Sequence, residues 1–299
     1  MDKTKQSIVF ALLAAFGFSI QDTAVKAITS DSSIWQLMFI RSLIVVAILV
    51  AFALITRSKA KIFPKTFFWP VLRAISMTLA YSFYYASLPF LALSEASSCF
   101  FMAPIFVCIL ASLFLGEKIE WVQKASVALG FIGALIIIQP GLISFRPILL
   151  LPVLAGLSYA VSVIITRGFC RDEPNLSLTI IHNVIYAFLG LFVILLIPKI
   201  NIHPAIIQNN NFIFKGWVEI TMMTMMFILL TALTHLMSMS ASIFAYKNQK
   251  ASLIAPIEYT YLIFAVMIDY WIWQFLPSLS HAIGAILIFI SGVIVTKSR

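Results

Sequence analysis

The chain has 299 residues, of which 62% are hydrophobic and only 10% are charged, and its mean hydropathy is +1.05. A soluble domain carries about 25% charged residues because its surface faces water. This composition therefore excludes a soluble globular protein and predicts an integral membrane protein in contact with the lipid bilayer. The net charge of +9 does not indicate a nucleic-acid partner, since no helix or loop has a basic face with interleaved aromatic side chains.

Crossing the hydrocarbon core of a bilayer takes roughly 20 apolar residues in a helix. Ten such stretches follow one another, at 6–28, 34–56, 69–89, 94–115, 121–139, 148–168, 176–198, 217–245, 251–274 and 279–296. The first continues past twenty residues without a convincing small-x-small cleavage site, so we interpret it as a retained helix and not as a signal peptide. The sequence predicts an all-α membrane protein of ten transmembrane helices, with no separate soluble domain.

The distribution of lysine and arginine predicts the orientation, because basic loops stay on the cytoplasmic side. With the N-terminus inside, fifteen of the twenty basic residues fall on the inner side. The outer side has only four, Lys26, Arg146, Lys199 and Lys215, and Arg41 lies within a helix. We therefore expect a multi-pass protein of the cell inner membrane with both termini in the cytoplasm.

A short repeat divides the chain into two halves of five helices, residues 1–143 and 144–299. The fourth span contains Ala103-Pro104-Ile105, and the ninth contains Ala255-Pro256-Ile257. The helix after each triplet has a glycine face, formed by Gly130 and Gly133 in one half and by Gly284 and Gly292 in the other. Five crossings reverse the side of entry, so the halves are expected to be inverted repeats, as in many secondary transporters.

Pro104 and Pro256 lie within apolar spans, where each removes one backbone hydrogen bond and is expected to kink the helix. Two interpretations stay open. The kinks improve helix packing, or their matching positions make them flexing points of alternating access.

Ionisable side chains inside a membrane span cost roughly 2.5–3.5 kcal/mol each on insertion scales and usually face the protein interior. The candidates are Asp22, Lys26, Arg41, Glu95, Glu219, His235, Glu258 and Asp269. Glu258 lies near the middle of its span, and Arg41 lies in the outer half of the second. Asp22 and Lys26 are four residues apart, so a local ion pair is an alternative to a binding role. His182 and His235 are expected to form interhelical hydrogen bonds.

Tyrosines accompany Glu258 in the sequence: Tyr259 and Tyr261 follow it, and Tyr81, Tyr84 and Tyr85 lie in the third span. A carboxylate beside aromatic rings suits a cationic or heteroaromatic solute, through charge pairing and cation–π contact. Tyrosines also form interfacial belts in membrane proteins, which is the alternative interpretation.

No motif indicates an enzyme: the chain has no His-Glu-x-x-His, no Gly-x-Ser-x-Gly, no P-loop and no paired acidic motif for a metal-bound diphosphate. Cys99, Cys108 and Cys170 lack the spacing of metal ligands. We therefore expect no cofactor and no metal site. The oligomeric state is left open.

Several stretches together resemble the drug/metabolite transporter superfamily, EamA type. They are Phe18-Ser19-Ile20-Gln21-Asp22, Phe39-Ile40-Arg41-Ser42, Arg73-Ala74 with Tyr84-Tyr85-Ala86, Ala92 to Glu117, and Ala255-Pro256-Ile257-Glu258-Tyr259. The resemblance implies ten helices in two inverted halves around a central cavity, and secondary transport without ATP hydrolysis. One departure is Gln274-Phe275, where the family has a second-half glutamate corresponding to Glu117.

Within the family, the pattern is most similar to the S-adenosylmethionine uptake carriers of intracellular bacteria. This similarity implies uptake of that metabolite, with S-adenosylhomocysteine as the exchanged solute. Glu258, Arg41, Asp22 and the tyrosines Tyr81, Tyr85 and Tyr259 are the expected binding residues. Export or import of amino acids, nucleobases or riboflavin stays open as the alternative.

Overall fold

The structure is a computed structural model that describes residues 3–29, 31–56, 62–88, 90–91, 96, 99–138, 147–200, 211–273 and 279–297. Glu95 and the departure at Gln274-Phe275 lie outside the described residues, as does the side chain of Asp269.

Every regular element in these described ranges is helical. The first half contains α1 (Lys3–Ala27), α2 (Ile34–Ile55), α3 (Phe68–Ser87), α4 (Ala103–Leu115) and α5 (Trp121–Ile138). The second half contains α6 (Leu150–Gly168), α7 (Asn175–Leu196), the short α8 (Asn211–Phe214), α9 (Met222–Asn248), α10 (Ala251–Glu258), α11 (Thr260–Trp273) and α12 (Leu279–Lys297). Single turns of 3-10 helix lie at Pro147–Leu149 and Ile197–Lys199.

Side-chain caps fix where two of the long helices begin. The Ser33 hydroxyl accepts a hydrogen bond from the Trp35 backbone N–H at the start of α2. Thr221 accepts one from the Thr224 N–H at the start of α9. Each cap satisfies a backbone donor that the first turn of a helix leaves free. These helix starts are therefore specified by local sequence as well as by apolar packing.

Five helices of the described chain are long and apolar enough to cross a membrane: Lys3–Ala27, Ile34–Ile55, Pro147–Gly168, Asn175–Lys199 and Met222–Asn248. The outer surface carries large apolar side chains, with Leu113, Trp121, Phe188 and Met222 each at least 70% exposed. Such a surface is unfavourable in water and suits lipid. The chain is therefore a multi-pass helical membrane protein. Three further predicted spans coincide with α3, α5 and α12. The remaining two, 94–115 and 251–274, coincide with the short helix α4 and with the interrupted pair α10 and α11.

The most extensive helix contacts join the two halves of the chain: α1 with α9, α3 with α6, α2 with α7, and α5 with α12. The predicted glycine faces meet in the last of these pairs. A Cβ atom on Gly133 would lie 2.8 Å from the carbonyl oxygen of Gly284. Only a glycine at position 133 allows the two backbones to approach this closely.

The spans that contain Pro104 and Pro256 are interrupted helices. Pro104 lies in the first turn of α4, where a proline needs no hydrogen-bond partner. Pro256 lies inside α10, which ends two residues later at Glu258. The two interruptions meet, because the Tyr259 hydroxyl donates to the Phe101 carbonyl oxygen at 3.3 Å. A backbone acceptor next to one break is thus satisfied by a side chain from the other.

Substitution of Gly133 by valine should destabilise the α5–α12 contact. Overpacking of this kind costs about 1–3 kcal/mol, so the Tm of the purified protein in detergent should fall by several degrees. Ile132→Ala is the matched control, because Ile132 is the preceding residue and is 49% exposed. An equal Tm for the two variants would contradict the close packing at Gly133.

Candidate functional site

A central pocket lies between α1, α3, α4, α6, α9, α10 and α11. Its empty volume is about 890 Å³, including the space at its open side. Most of the lining is apolar and includes Ala11, Ala14 and Ala15 of α1 together with Phe100 and Phe101. The small side chains of α1 leave the pocket open on their side, and the phenylalanine rings form another part of its wall.

Glu258 is the carboxylate at one part of this pocket. Glu258 is the last residue of α10, so the interruption between α10 and α11 lies at the pocket. The Tyr159 hydroxyl of α6 donates a hydrogen bond to Glu258 Oε1, and Ser242 and Tyr246 of α9 also line the pocket. No basic side chain of the described residues forms an ion pair with Glu258. Its charge is therefore available to a cationic group in the pocket.

Asp22 is the second carboxylate of the pocket. Tyr85 donates to its Oδ1 at 3.1 Å, and Tyr261 donates to its Oδ2 at 2.8 Å. Gln21 Nε2 donates in turn to the Tyr85 hydroxyl at 2.9 Å, and Gln21 Oε1 lies 3.2 Å from His235 Nδ1. Asp22 thus faces hydroxyl groups of α3 and α11, and these tyrosines fix the orientation of its carboxylate.

Arg41 is completely buried but does not line the pocket. Its guanidinium carbon lies 5.3 Å from the ring centroid of Tyr81 and 4.6 Å from that of Tyr186. Tyr81 lines the pocket, so Arg41 contacts a residue of the pocket wall. His235 forms an interhelical hydrogen-bond contact, as expected, through Gln21. His182 is completely buried, and its ring contacts those of Tyr81, Tyr186 and His235.

Four of the eight expected binding and kink residues line the pocket: Glu258, Asp22, Tyr81 and Pro104. The other four lie outside its lining: Arg41, Tyr85, Tyr259 and Pro256. Tyr84 and Tyr261, the other tyrosines named from the sequence, also line it. Tyr85 supports Asp22 from behind, and the ring of Tyr259 packs against Gly130, whose missing side chain makes room for it. Sequence reasoning did not single out Tyr159 or Tyr246. The only available signal was that each is a polar aromatic residue within an apolar span.

The pocket therefore combines two carboxylates with several aromatic faces, and no basic side chain of the described residues lines it. Carboxylates and tyrosine rings both attract cations. The electrostatics favour a solute with a positively charged group over an anionic one, and the apolar walls favour one with a hydrophobic or aromatic part.

The fold and this pocket define a helical membrane protein with an internal pocket between its helices. Residues 5–139 match the sequence profile of the EamA-like transporter family. This stretch is an EamA-like transporter domain, and the family is one of transporters and not of enzymes.

Two named relatives and one solved structure are similar to the chain. The chain is 21% identical to the pseudopaline exporter CntI of Pseudomonas aeruginosa, over 100% of this chain and 99% of that protein. It is 23% identical to an S-adenosylmethionine uptake transporter of Rickettsia prowazekii, over 98% and 92% of the two chains. A crystal structure superposes with a TM-score of 0.80 at 15% identity, over 98% of each chain. At that identity, the superposition shows a shared fold alone.

The hydrogen bond from Tyr261 to Asp22 should stabilise the protein. Tyr261→Phe leaves one carboxylate oxygen without that donor, and hydrogen bonds to charged groups contribute about 1.5–3 kcal/mol. We expect a lower Tm for Tyr261→Phe in the wild-type background and a smaller loss in the Asp22→Asn background. Equal losses in the two backgrounds, measured as a double-mutant cycle, would mean that the two side chains do not interact.

Proposed function

We propose that the protein is a secondary transporter that moves a cationic metabolite across the inner membrane by alternating access. The observation that carries this proposal is Glu258, a carboxylate in a central apolar pocket with no ion-pair partner among the described residues. A carboxylate in such surroundings is costly unless a cation offsets its charge, and a transported cation is a partner that can enter and leave.

We also propose that the ten spans form two inverted halves, residues 1–143 and 144–299, with both termini in the cytoplasm. The helix contacts support this arrangement. If α1 corresponds to α6 and α3 to α9, the contact of α1 with α9 becomes that of α6 with α3, and both are extensive. The other two extensive contacts, α2–α7 and α5–α12, then each join a helix to its own counterpart in the other half. Inverted halves are a frequent basis of alternating access in transporters.

S-adenosylmethionine is the leading candidate for the solute, with S-adenosylhomocysteine as the exchanged molecule. The sulfonium and ammonium groups of S-adenosylmethionine suit Glu258 and Asp22, and its adenine suits the rings of Tyr81 and Tyr159. The Rickettsia relative, named as an uptake transporter of this metabolite, supports the assignment. The Pseudomonas relative is named as an exporter, so export of another small metabolite is the alternative. We assign the solute contacts to the pocket residues and not to Arg41, which does not line the pocket.

Polar contacts between the halves occur where α4, α6 and α9 end and α10 begins. The Glu117 carboxylate lies 3.3 Å from Arg167 Nε, and it accepts hydrogen bonds from the Ala251 N–H at 3.4 Å and from the Ser252 hydroxyl at 3.4 Å. Arg167 Nη1 also donates to the Lys247 carbonyl oxygen at 3.1 Å. We propose that this end faces the cytoplasm, as the distribution of basic residues predicts, and that Glu117 holds it closed.

A second carboxylate at the same end joins the connection between α6 and α7 to the one between α2 and α3. Glu173 accepts hydrogen bonds from the backbone N–H groups of Lys65 and Thr66, at 2.6 and 2.9 Å. Burial raises the pKa of Glu173, but these hydrogen bonds outweigh it, and the pKa lies below its usual value. Glu173 is therefore ionised at neutral pH and links the halves at a second position.

Glu258→Gln tests the solute site, because it keeps size and hydrogen bonding but removes the charge. Initial uptake of labelled S-adenosylmethionine by cells that express the protein should fall at least about tenfold, since an opposite charge in a pocket is worth more than 1.4 kcal/mol. Glu219→Gln is the matched control, because Glu219 is exposed. Preloaded unlabelled S-adenosylhomocysteine should accelerate uptake by the wild type. Unchanged uptake by Glu258→Gln would exclude Glu258 as the cation partner.

Glu117→Gln tests the proposed closure. In a variant with its three cysteines replaced by alanine, a cysteine is introduced at Ala245, which lines the pocket. Its reaction with an impermeant maleimide is followed from the cytoplasmic side, in inside-out vesicles. We expect Glu117→Gln to increase the labelling rate several-fold, because the contacts to Arg167 and Ser252 weaken. Glu120→Gln, an exposed residue of the same connection, should leave the rate unchanged. Equal rates in the two variants would exclude a closing role for Glu117.

A further inference from the structure

The two carboxylates of the pocket have different electrostatic surroundings. Both oxygens of Asp22 accept hydrogen bonds from tyrosine hydroxyls, and the positive charge of Arg41 acts on it as well. Glu258 accepts a hydrogen bond from Tyr159, and Tyr246 lies beside the same carboxylate. Among the described residues, no basic side chain forms an ion pair with Glu258. The protein therefore supplies a nearby cation for Asp22 and none for Glu258.

The helices that pack around α10 bring only neutral or acidic groups to Glu258. The Cys108 thiol faces it from α4, and the two tyrosines just named face it from α6 and α9. Asp22 of α1 and Tyr261 of α11 line the same pocket, and no described residue of α5 or α12 does so. A carboxyl group in apolar surroundings favours its neutral form, because the ionised form has lost its hydration, and a second carboxylate nearby adds repulsion.

The two solutes proposed above differ at the group that would meet this carboxylate. S-adenosylmethionine has a sulfonium, which is a permanent positive charge without an N–H donor, and S-adenosylhomocysteine has a neutral thioether in its place. Such a cation is recognised by charge and by aromatic faces. Both are present at Glu258, since its partner Tyr159 packs against Phe100 with the ring centroids 5.8 Å apart. The thioether offers Glu258 no charge, so the carboxylate needs another partner when S-adenosylhomocysteine is bound.

We infer that Glu258 is a proton-binding site, which holds a proton while no cation occupies the pocket and releases it when a cation enters. The site itself follows from the geometry of the pocket, and its link to S-adenosylmethionine rests on the proposed function. When the sulfonium arrives, the O–H bond of Glu258 breaks and the proton passes to water on the side of entry. After the cation leaves, the carboxylate takes a proton from water on the opposite side.

On this cycle, each S-adenosylmethionine that enters is exchanged for S-adenosylhomocysteine together with a proton. The proton carries the charge that the thioether lacks, so no net charge crosses the membrane. Protons on the side of entry compete with the sulfonium for Glu258, and protons on the other side complete the return. Uptake should therefore slow as the external pH falls and accelerate as the internal pH falls.

Infrared spectroscopy of the purified full-length protein tests the proton site without any solute. The C=O stretching band of a protonated carboxyl group should be present at neutral pH, where exposed carboxyl groups are ionised. We expect this band to disappear in Glu258→Gln and to persist in Asp22→Asn and in the surface control Glu219→Gln, whose native side chain is exposed. A wild type without the band, or a folded Glu258→Gln variant that retains it, would overturn the assignment.

Transport by the wild type in proteoliposomes tests the exchange and does not depend on a variant that folds. The vesicles contain S-adenosylhomocysteine and a pH-sensitive dye, and labelled S-adenosylmethionine is added outside. The interior should become alkaline as the label enters, and a potassium diffusion potential set with valinomycin should leave the rate unchanged. Exchange that an inside-negative potential accelerates, with no change of internal pH, would show that Glu258 stays ionised. Absence of any exchange would instead refute the proposed solute, and the infrared band would still decide the proton site.

Discussion

The structure depends on the cost of a polar or charged group that has no water around it. Inside a membrane protein, such a group must find its partner within the chain. Tyrosine hydroxyls are the recurrent partners here. Tyr85 and Tyr261 donate to Asp22, Tyr159 donates to Glu258, and Tyr259 donates to a backbone carbonyl. A tyrosine supplies an apolar ring to the packing and a single donor at its tip, so it satisfies a carboxylate without adding a second charge.

The interrupted helices follow from the same constraint. A helix that stops in the middle of a membrane leaves backbone groups without partners, and such ends are tolerated only where protein surrounds them. The interruption before α4 faces α6 and Tyr259, and the one after α10 places Glu258 in the pocket. The breaks therefore account for the position of the site: a carboxylate at the end of a short helix faces the space that the breaks open.

The sequence was sufficient for the features that depend on composition and period. It predicted helical spans, the glycine faces of α5 and α12, and the inward position of Glu258 and Asp22, because these follow from hydropathy and from the cost of a buried charge. It could not assign partners. Tyr159 and Glu258 are separated by 99 positions, and no local pattern encodes that pairing. It also predicted Arg41 as a solute contact, whereas Arg41 lies outside the pocket lining in the structure. The depth of a residue along a helix can be predicted from the sequence, but the face of the helix on which it lies cannot, and a rotation about the helix axis is enough to move a side chain out of the lining.

The two ends of the proposed transporter are held differently, and this difference bears on how it works. At the end proposed as cytoplasmic, Glu117 joins the Arg167 side chain to the first turn of α10. If the halves correspond, the equivalent position at the other end is the Gln274-Phe275 stretch, which has no carboxylate. Contacts that involve an ionised group are stronger than neutral ones, so on the proposed mechanism the inner end should be closed more firmly than the outer end.

Such a bias changes how long each state lasts but cannot set the direction of net transport, because a carrier without an energy source follows the gradients of its solutes. Relatives named as an exporter and as an uptake transporter are therefore compatible with one fold and one mechanism, and the direction must come from the gradients on the two sides of the membrane.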